Sequence, residues 1–91
     1  MGKEVRLFKS EERKNRPEVT AFLRELADKI DAGEVLLRQG SEEIKLEIPK
    51  NLVLEIQVED EDKGSKGTEH SLELELAWYD GDEQGGPLEL G

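Results

Sequence analysis

Carboxylates are the side chains of this sequence best suited to chemistry, and their densest run is Glu59-Asp60-Glu61-Asp62. Adjacent acids in a loop could bind a hard cation such as calcium or magnesium through their oxygens. The spacing is not that of a calcium loop, because counting from Asp60 places Ser65 at the sixth position, where glycine is needed. We therefore predict solvated charge here and no metal site.

The single histidine, His70, is the other candidate for acid–base chemistry. In a strand its neighbour Glu69 points to the opposite face and cannot orient the imidazole. The segment 64–68, GSKGT, has the residue types of a phosphate-binding loop but the wrong spacing, and a strand follows where a helix must begin. We predict a solvated histidine, a flexible hairpin loop, and no catalytic or cofactor-binding residue.

Further acids alternate with apolar residues and should share the outer face of a sheet. They are Glu43, Glu47, Glu55, Glu59, Glu73 and Glu75. Like charges opposite each other destabilise a sheet, and pairing with Lys45, Arg6 or Arg38 would relieve this. Two interpretations stay open: a solvated, partly paired face, and an acidic platform for a basic partner that gains association rate from charge steering.

One amphipathic helix is the clearest element behind these faces. Its apolar stripe is formed by Val19, Phe22, Leu23, Leu26, Ala27 and Ile30. Asn15 and Glu18 have the spacing of a capping box, Pro17 is tolerated in the first turn, and Gly33 supplies a left-handed stop. The helix is predicted to run from about Arg16 to Ala32.

A two-residue period predicts the strands. A short first strand, 5–9, precedes the helix, and strands at 34–38, 44–48, 52–59 and 71–78 follow it. The facing of 34–38 is ambiguous because Leu36 and Leu37 are adjacent. A charged loop covers 60–69, and 80–91 forms a disordered acidic, glycine-rich tail.

The predicted fold class is therefore α+β, in the order β-α-β-β-β-β, with the last four strands in an antiparallel meander and one helix on its buried face. Residues 1–79 form a single domain. Five strands span roughly 19 Å, whereas one helix is about 10 Å across. Either the sheet curls, or the helix crosses diagonally, or a second chain covers the remaining apolar face.

The overall charge restricts the partners. The 91-residue chain carries 23 acidic and 13 basic residues, a net charge of −10, which disfavours nucleic acid and anionic membrane surfaces. It contains no cysteine, no secretory signal and no apolar run near the roughly 20 residues that span a bilayer. We expect a cytoplasmic protein without cofactor, whose partner is a basic protein or itself.

The last strand, Ser71-Leu-Glu-Leu-Glu-Leu-Ala-Trp78, is amphipathic and ends in tryptophan. It resembles the amphi-Trp domain family of small prokaryotic proteins. The helix Glu18–Asp28, the Gly33 stop and the extended segment reaching Ile48-Pro49 fit the same resemblance, which covers residues 5–79. It implies the fold and matches Trp78 to the eponymous residue. The family has no established activity, so the resemblance implies no chemistry.

The leading hypothesis is a non-enzymatic protein–protein interaction module that can self-associate. Its candidate contact residues are Glu55, Glu73, Glu75, Trp78 and Tyr79. Alternation places Trp78 on the buried side, where it is either a core residue at the end of the sheet or a half-exposed hot spot. The alternative function is an enzyme, or a small-ligand or cation binder, that uses the sheet carboxylates and requires a concave pocket.

Overall fold

The computed structural model of the protein describes residues 2–81, in which one helix is followed by four strands. The elements are α1 (Arg16–Ala32), β1 (Glu34–Gln39), β2 (Glu42–Glu47), β3 (Val53–Asp62), a 3₁₀ turn (Gly64–Lys66) and β4 (Thr68–Ala77). The α+β class is confirmed, and the observed order is α-β-β-β-β. The predicted tail, 80–91, lies outside the described residues from position 82 onward.

The predicted first strand at 5–9 is wrong. Residues 2–15 have no regular secondary structure, and no described strand pairs with them. Val5 and Leu7 are both exposed. Alternation over five residues is a weak signal, and without a neighbouring ladder the backbone of such a segment has no hydrogen-bond partners that would hold it extended.

The predicted helix is confirmed at both ends. The backbone N–H of Glu18 donates to the Asn15 side chain at 2.9 Å, and the Glu18 carboxylate accepts from the Asn15 N–H at 3.1 Å. These two bonds complete the capping box and satisfy two donors that the helix leaves unpaired. Gly33 follows Ala32 with φ of 90°, and its N–H donates to the Ile30 carbonyl at 2.9 Å. Glycine suits this position because a side chain would strain the left-handed backbone.

The chain divides into two compact units, 1–48 and 49–91; the expectation of one domain over 1–79 stays a prediction. In the first unit, α1 packs against β1, which pairs antiparallel with β2. Val35 is 4% exposed, and Pro49 is the one other buried residue among residues 2–81. Leu37, Ile44 and Leu46 share the face of Val35 and are half-buried. This resolves the ambiguous facing of β1: Leu37 points to the buried side and Leu36 to the exposed side.

The second unit, as far as it is described, is one long hairpin. Strands β3 and β4 have ten residues each and pair from Val53↔Ala77 to Asp62↔Thr68. The predicted loop at 60–69 is too long, because the ladder continues through Asp62 and resumes at Thr68. The turn needs only 63–67, where Gly64 and Gly67 have positive φ and the Asp62 carboxylate accepts from the Gly64 N–H at 2.8 Å.

The predicted four-stranded meander is also wrong. The described strands form two separate two-stranded sheets, β1 with β2 and β3 with β4. Alternation identifies a strand and its buried side, but it does not identify the neighbour to which the strand's backbone is hydrogen-bonded. The short connection between β2 and β3 does not by itself make them neighbours in a sheet.

Candidate functional site

The β3–β4 hairpin has two chemically different faces, because its register places like residues opposite each other. We call one side the apolar face; it consists of the pairs Leu54↔Leu76, Ile56↔Leu74 and Val58↔Leu72. We call the other the acidic face; it consists of the pairs Glu55↔Glu75, Gln57↔Glu73, Glu59↔Ser71 and Glu61↔Glu69. The two-residue period of a strand separates the two sets.

The acidic face brings three of the predicted contact residues together. Glu55 lies directly opposite Glu75, and Glu73 is two positions from Glu75 along the same face. All three side chains are exposed. None of them makes an ion pair within the described part of the chain, whereas Glu61 and Glu69, at the loop end, share Lys63 at 3.3 and 3.8 Å. Like charges that lie directly opposite each other destabilise a sheet by up to about 1 kcal/mol per pair.

The bases expected to relieve this repulsion are used elsewhere. Arg38 contacts Glu43 at 2.9 Å, and Lys45 contacts Glu34 at 3.3 Å, both across the β1–β2 hairpin. Lys45 also lies 4.0 Å from Glu47 on its own strand. Arg6, in the segment before the helix, makes no ion pair with any residue between 2 and 81. The predicted relief by Lys45 and Arg38 is therefore confined to the acids of the first hairpin.

His70 has a partner that reasoning from sequence neighbours missed. Its Nδ1 lies 2.6 Å from the Asp60 Oδ1, directly across the ladder. A loop at 60–69 would leave these two residues unpaired, whereas strands that continue to Asp62 and start at Thr68 place them opposite each other. Asp60 can orient the ring, but both side chains are exposed. The pair lies on the same side as the apolar face, next to Val58 and Leu72.

The run of acids at 59–62 does not converge on one point. Because it belongs to β3, Glu59 and Glu61 lie on the acidic face, whereas Asp60 and Asp62 lie on the opposite side. Asp60 contacts His70 and Asp62 accepts from the Gly64 backbone. Among residues 2–81, no three histidine or acidic side chains are grouped so that they could hold a metal ion.

The two aromatic candidates follow directly after β4. Trp78 is half-buried, and Tyr79 is 83% exposed. Continuing the alternation of β4 assigns Trp78 to the side of the apolar face, with Tyr79 on the side of Glu73 and Glu75. The end of the hairpin therefore presents an aromatic ring beside the acidic face.

The acidic face borders a shallow depression that opens to solvent and is lined by Glu55, Gln57, Glu73, Leu74 and Glu75. A group of carboxylates at such a place can attract a cation or a basic side chain.

Comparison with known proteins identifies one family. The sequence model of the Amphi-Trp domain matches residues 1–91, so the family suggested by the tryptophan-ended strand is confirmed. Comparison with curated proteins and with solved structures gives no match. Between residues 2 and 81, α1 is too short and too polar to cross a membrane.

Proposed function

The chain belongs to the Amphi-Trp domain family, and we propose that this member is a non-enzymatic protein–protein interaction module that presents its acidic face to a basic protein. Membership of the family brings no chemistry with it, so the proposal depends on the geometry of the β3–β4 hairpin. We propose the cytoplasm as its location, since a chain without cysteine suits a reducing compartment.

The observation that carries the proposal is that Glu55, Glu73 and Glu75 make no ion pair with any residue between 2 and 81. Three exposed carboxylates share one face, and two of them are directly opposed. A basic partner would replace this repulsion by attraction. The net charge of −10 acts in the same direction over a longer range, because it speeds the encounter with a cationic surface.

Trp78 and Tyr79 complete the proposed contact surface. Exposed carboxylates at the rim of an interface mainly raise the association rate, whereas tryptophan and tyrosine dominate the energy of many interfaces. Tyr79 lies one residue beyond Trp78 at the end of β4 and is largely exposed. We assign selectivity for positive charge to the acidic face and the slow dissociation of the complex to these aromatic side chains.

The proposal can be tested by capture on the immobilised full chain from an extract of the native host, with mass spectrometry of the bound proteins. The variant replaces Glu55, Glu73 and Glu75 by Gln; the matched control replaces Glu34, Glu43 and Glu47 by Gln. Both remove three carboxylates, but the control removes those that already face a base. We expect wild type and control to retain the same basic proteins, and the acidic-face variant to lose them.

Salt provides a second check, because contacts between exposed charges weaken as ionic strength rises. For a purified basic partner, we expect the acidic-face variant to associate about tenfold more slowly than wild type does. The control variant should change the association rate less. Equal retention of the basic proteins by wild type, variant and control would contradict the proposal.

The alternative function is an enzyme, or a small-ligand or cation binder, that uses the sheet carboxylates. The open depression beside Glu55 and Glu75 is where such a ligand would bind. Calorimetric titration with calcium and with magnesium tests the cation version. Saturable binding that disappears in the acidic-face variant would favour the alternative over the interaction module.

A further inference from the structure

We propose that the apolar face of the β3–β4 hairpin is the interface of a symmetric homodimer, in which the hairpins of two copies pack face to face. This inference goes beyond the proposed function, because it concerns the opposite side of the hairpin and a different partner. A dimer of this kind leaves both acidic faces outward, where each can still meet a basic protein.

Five of the six side chains of the apolar face are exposed, and the sixth, Leu76, is half-buried. Ile56 is 59% exposed and its cross-strand neighbour Leu74 is 60% exposed, while Val58 and Leu72 are more exposed still. A two-stranded hairpin is marginally stable in water unless its apolar side packs on something. Its own unit offers no helix for this purpose among residues 49–81, where the one helical segment is the three-residue turn Gly64–Lys66.

The size of the face suits a second copy. A side chain of this kind contributes about 60 to 120 Å² of apolar area when it is buried. The six side chains of the apolar face therefore supply roughly 400 to 700 Å² per copy. Two copies reach about 800 to 1,400 Å² of buried area, which extends into the lower part of the range for specific interfaces. We expect a reversible dimer with a dissociation constant in the micromolar range.

The distribution of charge selects which faces can meet. Stacked sheets pack about 10 Å apart, so the acidic faces of the two copies point away from each other with both sheets between them. Their carboxylates are then separated by roughly 20 Å, beyond the Debye length of about 8 Å at physiological salt. A large net negative charge is therefore compatible with this contact, whereas it forbids contact through the acidic faces.

The composition of the apolar face suits a two-fold arrangement of two copies. At the loop end the apolar face stops at the Asp60–His70 pair. Because these two side chains are hydrogen-bonded to each other, neither needs a polar partner from the second copy. An interface about a two-fold axis needs one patch that is complementary to itself. A row of three aliphatic pairs meets that condition without any specific polar match across the axis.

The first experiment is sedimentation equilibrium of the full chain over a micromolar concentration range. We expect a monomer–dimer equilibrium for wild type and at least tenfold weaker association for Ile56→Glu. Leu36→Glu is the matched control, because it places the same charge at another exposed aliphatic residue, opposite Lys45 on the first hairpin; it should dimerise like wild type. A wild-type chain that stays monomeric, or an Ile56→Glu chain that still dimerises, overturns the proposal.

A milder pair of variants tests the interface if Ile56→Glu does not fold. The chain has no cysteine, so Ile56→Cys and Gln57→Cys introduce single thiols on opposite faces of β3. Alkylation of Ile56→Cys should slow several-fold as protein concentration rises through the dimerisation range, and that of Gln57→Cys should not change. Protection of Ile56→Cys that is independent of concentration overturns the proposal, because the same chain then supplies the cover.

The dimer and the proposed function fail separately. A monomeric wild type leaves the capture of basic proteins by the acidic face intact. Equal capture by wild type and by the Glu55, Glu73 and Glu75 variant would overturn the proposed function but leave the sedimentation result intact, because those carboxylates lie on the other face.

Discussion

The two hairpins of this protein have the same architecture but differ in how far their apolar sides are buried and their charges paired. Each is an antiparallel pair with one apolar and one charged side. In β1–β2, the apolar side holds the buried Val35, and the charged side joins Arg38 to Glu43 and Lys45 to Glu34. In β3–β4, the apolar side is exposed and the charged side opposes Glu55 to Glu75 without a base.

This difference separates stability from binding. In β1–β2 the opposed Glu34 and Glu47 share Lys45, and the apolar side holds the buried Val35, so this hairpin has less need of a partner. In β3–β4 an aliphatic surface is left in water and like charges are left opposed, both of which reduce the stability of the hairpin. Such mismatches are common where a surface is completed by another molecule. The second hairpin is therefore the part of the molecule for which we propose both contacts.

The largest expected difference concerns one valine on each hairpin. Val35→Ala should lower the free energy of unfolding by about 2 kcal/mol, because it removes two buried methyl groups and leaves a cavity. Val58→Ala should cost less than about 0.5 kcal/mol at a concentration that keeps the chain monomeric, since Val58 is exposed. Urea unfolding followed by circular dichroism measures both values. Equal losses would show that the second hairpin is buried as well.

The turns give the next largest effect. The first hairpin closes with Gly40-Ser41, and Gly40 has φ of 61°, with no positive φ at Ser41, which is the pattern of a type II′ turn. Gly40→Ala should therefore lower the free energy of unfolding by about 1 to 2 kcal/mol. Ser41→Ala is the control and should change little. If both variants unfold at the wild-type urea concentration, this turn does not set the register of β1 and β2.

Exchanging charges should move the two hairpins in opposite directions. Glu75→Lys places a base opposite Glu55 and should raise the free energy of unfolding by about 0.2 to 1 kcal/mol. Arg38→Glu places an acid opposite Glu43 and should lower it by a similar amount. Both shifts in urea midpoint should shrink in about 1 M salt, where the Debye length falls to about 3 Å. Destabilisation by Glu75→Lys would contradict the repulsion inferred for the acidic face.

The smallest effect is expected at the Asp60–His70 pair. Because both side chains are exposed, His70→Gln should change the free energy of unfolding by less than about 0.5 kcal/mol. Ser71→Ala, which removes a long 3.5 Å contact to the Glu59 carbonyl, should have no measurable effect. A loss above about 1 kcal/mol for His70→Gln alone would mean that the pair is shielded from water.

Local patterns in the sequence predicted α1 and its caps, the α+β class, and the separation of acidic from apolar side chains along the second hairpin. The capping box of Asn15 and Glu18 and the left-handed Gly33 depend on contacts over three or four residues, so they can be recognised in the sequence alone. The co-location of Glu55, Glu73 and Glu75 on one face also followed from alternation alone. Their role in binding a partner stays a prediction.

The pairing of strands could not be read in this way. Hydrogen-bonded neighbours are chosen by contacts between residues far apart in the chain, and several pairings satisfy the same two-residue period. Strand pairing therefore decided that β2 pairs with β1 alone, that 5–9 forms no strand, and that His70 meets Asp60 rather than Glu69. Periodicity shows which side of a strand is apolar, and the fold shows which surface, if any, packs against that side.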